Sequence, residues 1–243
     1  MRFTVVGDES LGTAIREAGG SVVSADEAAS ADAVVAVGES SVTEVALDST
    51  LDRPVVPVDC GMPWSVPRRE LTDTLSSMLA GDRRVVDQPI LSVFVGGEHA
   101  GDALFDTMLV TSEPAHISEY GVAHYRSDVP TDTRVDQSAD DDWVTADEFR
   151  ADGVVVATPL GSTGYARAAG GAVVGPNAGV SVVPVSPYAT QTDTWVFQPP
   201  LRLSVERDDT PVSLVVDDDV VREVVPSAPV YVTVGGTATF LSQ

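Results

Sequence analysis

Gly153-Val154-Val155-Val156-Ala157-Thr158-Pro159-Leu160-Gly161-Ser162-Thr163-Gly164-Tyr165, running on to Gly170-Gly171, is the densest signal in the chain. Gly153 to Ala157 is a short apolar run rich in β-branched valine, which predicts a buried strand. Thr158 to Ser162 reads as a turn. Thr163 to Ala169 reads as a helix stopped by Gly170-Gly171, where glycine can take the left-handed cap. A strand, a tight turn and a helix N-terminus in that order make a corner suited to a ligand. Small residues let a ligand approach the backbone, N–H groups at a helix start favour anions, and the hydroxyls of Thr158, Ser162 and Thr163 add short donors and acceptors. Helix capping by Ser162 or Thr163 would account for one hydroxyl of the run, but not for all of it.

Toward the N-terminus the pattern is different. Phe3 to Gly7 leads into a Gly/Asp/Ser turn and then a stretch with Leu11, Ala14, Ile15 and Ala18 at helical spacing. Ala33 to Val37 ends at Gly38-Glu39-Ser40-Ser41, and Pro54 to Val58 ends at Asp59-Cys60-Gly61. Buried runs separated by turns and helices predict a parallel, Rossmann-like sheet covered on both faces, with ligands beyond the carboxyl ends of its strands. Glu39 to Ser41 and Asp59 to Met62 stand at those ends. Residues 69–79 carry a helical pattern closed by Gly81-Asp82.

From Asp87 onward alternation takes over. Ile90 to Val95 before Gly96-Gly97 predicts an antiparallel hairpin, and the runs 201–205, 212–216 and 230–234 continue in the same style. The expected organisation is an α/β domain over residues 1–86 and a β-rich domain over 87–243. The acidic stretch Ser138 to Asp142 reads as a solvated loop.

The run through Gly171 resembles the T-P-T-G-S-T-A-Y and following A-G-G of NAD kinases. The resemblance extends along the chain. Ala80-Gly81-Asp82 and Asp87 to Val93 fall in register with the family's helix end and first β-domain strand. Leu104-Phe105-Asp106 falls where the family has L-N-E or L-N-D, and Val215 to Asp219 where it has its D-G-Q turn. The resemblance implies a phosphofructokinase-like α/β domain followed by a β-sandwich. It implies NAD as substrate or ligand, with ATP or polyphosphate and Mg²⁺ if the protein is active. It assigns Thr163, Gly164 and Tyr165 to the adenine pocket and Asp106 to ribose hydroxyls, with Thr158, Gly161 and Ser162 in the same binding loop. It also implies a homo-oligomer, a dimer or a tetramer.

The chain departs from the family at the catalytic loop. Where the family has G-G-D-G-T, this sequence has Gly38-Glu39-Ser40-Ser41-Val42. Gly38 keeps its place, but Ser40 stands at the position of the general-base Asp. A serine hydroxyl is no base at neutral pH without an activating neighbour, and the nearest carboxylate in sequence is Glu39. Phe105 replaces the family's Asn, and Leu160 and Ala168 replace hydroxyl residues. Two readings follow: a kinase with Glu39 or Ser40 in the catalytic role, or a dinucleotide-binding sensor without turnover. A lipid kinase of the same G-G-D-G-T ancestry fits less well, because the loop 158–165 is of the NAD kinase form and no basic or apolar membrane-facing stretch is present.

Composition narrows the setting. All 14 basic residues are Arg, and against 37 acidic residues they leave a formal charge of −23. Such a surface repels nucleic acid and anionic lipid. Cys60 is the single cysteine, which excludes an internal disulfide and the cysteine-based zinc patterns. His99, His116 and His124 are too scattered to suggest a metal cluster, so no metal ligands are assigned. The polar N-terminus and the absence of a long apolar run lead to the expectation of a cytoplasmic protein. Without lysine and so acidic, the chain has the composition of a halophile's protein, whose self-repulsion is screened over roughly 3 Å at 1 M salt. Dialysis from multimolar to low salt is expected to lower the thermal unfolding midpoint steeply, followed by circular dichroism; an unchanged midpoint would remove the halophile reading.

Overall fold

The computed structural model describes residues 1–62, 64–113, 116–126, 142–189, 192–207, 210–226 and 228–242. Of the acidic stretch 138–142, only Asp142 lies among them. The chain forms two compact units, Met1–Gln88 with Thr237–Gln243, and Pro89–Gly236.

The N-terminal unit is built from β1 (Arg2–Val6), α1 (Gly12–Glu17), β2 (Ser21–Val22), β3 (Ala33–Val37), α2 (Glu39–Leu47), β4 (Val55–Val58) and α3 (Leu71–Ala80). Its strands lie parallel in the order β2-β1-β3-β4. Ala33 and Val35 join Phe3, Ile15, Leu71, Leu75 and Met78 in one core. The alternate residues Val34 and Ala36 are also fully buried, as are Val42 of α2 and, nearly so, Val45. Both faces of β3 are therefore covered, which is why the strand reads as an unbroken apolar run. Gly81 closes α3 in the left-handed region at φ 108°. The last strand also contributes here: Phe240 pairs in parallel with Val55, and Leu241 enters this core.

The second unit holds most of β5 (Arg84–Val95), then β6 (Glu98–Ala103), β7 (Asp106–Thr111), β8 (Ser118–Tyr125), β9 (Trp143–Ala151), β10 (Gly153–Ala157), α4 (Tyr165–Ala168), β11 (Val180–Val185), β12 (Trp195–Phe197), β13 (Leu201–Arg207), β14 (Val212–Val216), β15 (Asp219–Val224) and the start of β16 (Val230–Ser242). One sheet has the order β12-β11-β10-β7-β14-β15. Strands β9, β8, β13 and β16 pair successively in the other sheet, in which β5 and β6 form the expected hairpin. Leu91, Val93, Tyr120, Val122, Leu201 and Leu203 of one sheet pack on Leu109, Val154, Val156, Val182 and Leu214 of the other. That is a β-sandwich. The opposite face of β10, with Val155 and Ala157, is covered by Ala166 of α4.

Two expectations change. The helix read over 163–169 is shorter: Gly161–Thr163 forms a 3₁₀ turn and α4 spans only Tyr165–Ala168. Gly164 at φ −94°, ψ −122° lies outside helical geometry and separates the two. The chain also crosses between units twice, along β5 and β16, so a single cut at 86/87 does not divide it. Leu75 is fully buried in the N-terminal core. Leu75→Ala is expected to cost about 2–5 kcal/mol, read from denaturant unfolding at high salt.

Candidate functional site

In the β unit the site is a short segment held from two sides. Leu104 to Asp106 joins β6 to β7. Ala157 at the end of β10 pairs with Asp106 at the start of β7, which brings the loop 158–165 alongside. Thr158 donates its backbone N–H to the Phe105 carbonyl at 2.8 Å and its hydroxyl to the Leu104 carbonyl at 2.8 Å. The same Thr158 oxygen accepts the Gly161 N–H at 3.2 Å. A Cβ on Gly161 would collide with the Phe105 carbonyl oxygen, so only glycine permits this approach. From the other side the Asp217 carboxylate accepts the N–H groups of Leu104 at 2.9 Å, Phe105 at 2.8 Å and Asp106 at 3.0 Å. Asp217 returns its own N–H to the Asp106 carbonyl at 2.8 Å. Burial raises the Asp217 carboxyl above its ordinary pKa, and the three amides oppose that shift.

The sequence reading treats the hydroxyls of the loop as one ligand-facing set, whereas the structure divides them. Thr158 and Ser162 are fully buried. Ser162 donates to the Pro159 carbonyl at 2.8 Å and accepts the Val174 N–H at 2.9 Å. Both side chains thus serve backbone groups, within the loop and in the segments packed on it. Thr163 donates to the Leu160 carbonyl at 3.0 Å but is only partly buried. Gly164 and Tyr165 are exposed, with Tyr165 at 49%. The ring is therefore no core residue. Asp106 and Phe105 are half-buried. Phe105, Asp106, Thr163, Gly164 and Tyr165 are the members of this group that keep accessible surface.

In the N-terminal unit Gly38 adopts φ 81°, which lets β3 turn directly into α2, and it caps that helix with no side-chain bond. Glu39 and Ser40 are the first residues of α2, both exposed. Among the described residues, no carboxylate or imidazole hydrogen-bonds the Ser40 hydroxyl. Asp8 follows β1 and Asp59 follows β4, on either side of β3. Arg68 ties the two together, bonding Asp8 through Nη1 and Asp59 through Nε at 3.3 Å, while its backbone N–H reaches Asp59 at 3.0 Å. Hydrogen bonds from Ser10, then from Arg68, hold the Asp8 carboxyl at about 2. The Arg68 backbone bond likewise lowers Asp59. No group of three or more His, Cys, Asp or Glu side chains among the described residues forms a metal site.

Sequence reasoning did not find the parts played by Asp217 and Arg68. The signal for Asp217 was present: Val216 pairs with Asp219, so residues 217 and 218 form a two-residue hairpin loop. Asp217 sits there at φ 47°, the conformation such loops demand at their first position. Nothing local marks Arg68, whose partners lie 60 and 9 residues away.

The division of the loop is testable. Thr158→Val keeps the shape but leaves a buried carbonyl and a buried amide unpaired, and is expected to cost about 1–3 kcal/mol. Tyr165→Ala is expected to stay within about 0.5 kcal/mol. Urea unfolding of both variants distinguishes frame from face.

Residues 133–240 match the family described as the ATP-NAD kinase C-terminal domain. An NAD kinase of Methanopyrus kandleri is 28% identical over 214 residues, which is 86% of this chain and 68% of that protein. The chain spans about half the length of most other curated NAD kinases it matches. An NAD kinase from Archaeoglobus fulgidus, solved in complex with ATP, matches with a TM-score of 0.68 at 20% identity, covering 99% of this chain and 93% of that one. Yeast NADH kinase complexed with NADH matches with a TM-score of 0.72 at 14% identity, covering 100% and 83%. These structural likenesses show a shared fold. Motif, the family match over residues 133–240 and the fold agree, and the chain is similar to NAD kinases.

Proposed function

We propose that this protein binds NAD through the β unit and transfers the γ-phosphoryl group of ATP, or a phosphoryl group of polyphosphate, to the adenosine 2′-hydroxyl, giving NADP. One observation carries the reading. Asp106 and the exposed Thr163-Gly164-Tyr165 face are fixed on one hydrogen-bonded frame in the β unit. A carboxylate there can accept two ribose hydroxyls, and the exposed tyrosine ring of the adjoining loop offers a flat apolar surface to a base. The solved relatives, one with ATP and one with NADH, support the ligand class.

The N-terminal unit supplies the phosphate chemistry. The start of α2, a nine-residue helix without a side-chain cap, presents backbone N–H groups suited to phosphate oxygens. Glu39 serves as the base. It takes the proton of the attacking hydroxyl as the new O–P bond forms, the bond to the leaving phosphate breaks, and ADP departs when ATP is the donor. Among the described residues no group of three or more His, Cys, Asp or Glu side chains could hold a metal, so Mg²⁺ would be carried mainly on the nucleotide phosphates, whose charge it would neutralise. The exposed Val220 and Val221 on edge strand β15 support a homo-oligomer through the β unit. The acidic charge of −23 supports a salt-rich cytoplasmic setting. No helix among the described residues is long and apolar enough to cross a membrane.

A second reading has its own observation: exposed Ser40, at the position of the family's Asp, has no hydrogen-bonded base beside it among the described residues. That favours a dinucleotide-binding protein without turnover. Incubation with NAD, ATP and Mg²⁺ in high-salt buffer separates the two. NADP formation is expected, and Glu39→Gln is expected to lower it by about 100- to 10,000-fold. Absence of turnover with NAD binding intact establishes the second reading.

A further inference from the structure

Asp217 is an expensive residue to keep. Its carboxylate is largely buried, and its backbone is in the left-handed region at φ 47°, where residues other than glycine are uncommon. Both features find their use in one place. Oδ2 accepts the Leu104 amide at 2.9 Å, while Oδ1 accepts those of Phe105 at 2.8 Å and Asp106 at 3.0 Å. Three consecutive N–H groups converging on one carboxylate fix the direction of the peptide planes that carry them. The return bond from the Asp217 N–H to the Asp106 carbonyl closes the arrangement at 2.8 Å. Thr158 holds the two outward carbonyls of Leu104 and Phe105.

We infer that Asp217 is a positioning residue for dinucleotide binding: by gripping the backbone of Leu104 to Asp106 it sets the direction in which the Asp106 carboxylate meets the ribose hydroxyls. This rests on the proposed ribose role of Asp106. Asp217 touches no substrate in this account and acts through its neighbour. An amide in its place cannot do the same work, because an Asn keeping its oxygen on Phe105 and Asp106 turns an N–H₂ toward the Leu104 N–H, donor against donor.

A double-mutant cycle on NAD affinity, measured by titration calorimetry at high salt, tests the inference. Asp106→Asn is expected to weaken NAD binding about 10- to 100-fold, as loss of charge-assisted hydrogen bonds does. Asp217→Asn is expected to weaken it about 10-fold alone, and by less than about 2-fold once Asp106 is already Asn. Equal losses in both backgrounds, or no loss alone, overturn the inference while the ribose role stands. If Asp106→Asn leaves affinity unchanged, the ribose role itself fails and the inference with it. Amide hydrogen exchange on the unmodified protein gives a reading that does not depend on the folding of any variant. Slow exchange at residues 104–106 without NAD supports the clamp, and exchange at loop rates contradicts it.

Discussion

Six backbone polar groups of Leu104 to Asp106 are satisfied within the protein, and the way they are satisfied decides the geometry of the face that carries Asp106. A buried N–H or carbonyl without a partner costs as much as a lost hydrogen bond, so the segment has few places to go. The Asp217 carboxylate takes the donors, and Thr158 and the Asp217 amide take the acceptors. Gly161 is then required by contact with Phe105. Much of the motif at 158–162 is thus internal carpentry, and only its far end, from Thr163 to Tyr165, is offered to solvent.

The N-terminal unit solves a different problem at the ends of its parallel strands. Asp8 and Asp59 stand beyond β1 and β4, and Arg68 neutralises one of the two charges while joining them. In a protein with 37 acids, 14 arginines and no lysine, a placed guanidinium is scarce, and its planar fork can serve two carboxylates together. The pair lies at exposed positions, so the gain is one of geometry more than of stability.

The fold class was legible because its elements have distinct periods. Ala33 to Val37 reads as a strand buried on both faces, and Ile90 to Val95 before Gly96-Gly97 reads as a hairpin; both form as expected. Glycine at 81 and at 170 marks helix ends by its left-handed backbone. What could not be read was pairing at long range. The bond from Asp217 to Leu104 spans 113 residues, and the one from Arg68 to Asp8 spans 60. A hydroxyl turned inward, as at Ser162, has the same spelling as one turned to a ligand. The break at Gly164 escaped for a related reason: glycine inside a helical pattern signals a break only once its dihedrals are known.

The last strand belongs to two places at once, and this bears on how the protein is made. Residues 237–242 complete the N-terminal unit, with Phe240 beside Val55 and Leu241 in its core. On the ribosome those residues emerge after the whole of the β unit. Until the β unit has been made, the outer edge of β4, which bridges Val66 at Val58, therefore lacks its partner Phe240. An open strand edge is a template for unwanted pairing, and β4 is short and contains Pro57, which removes one donor from that edge. The sheet carries its own protection for the interval before its final strand arrives.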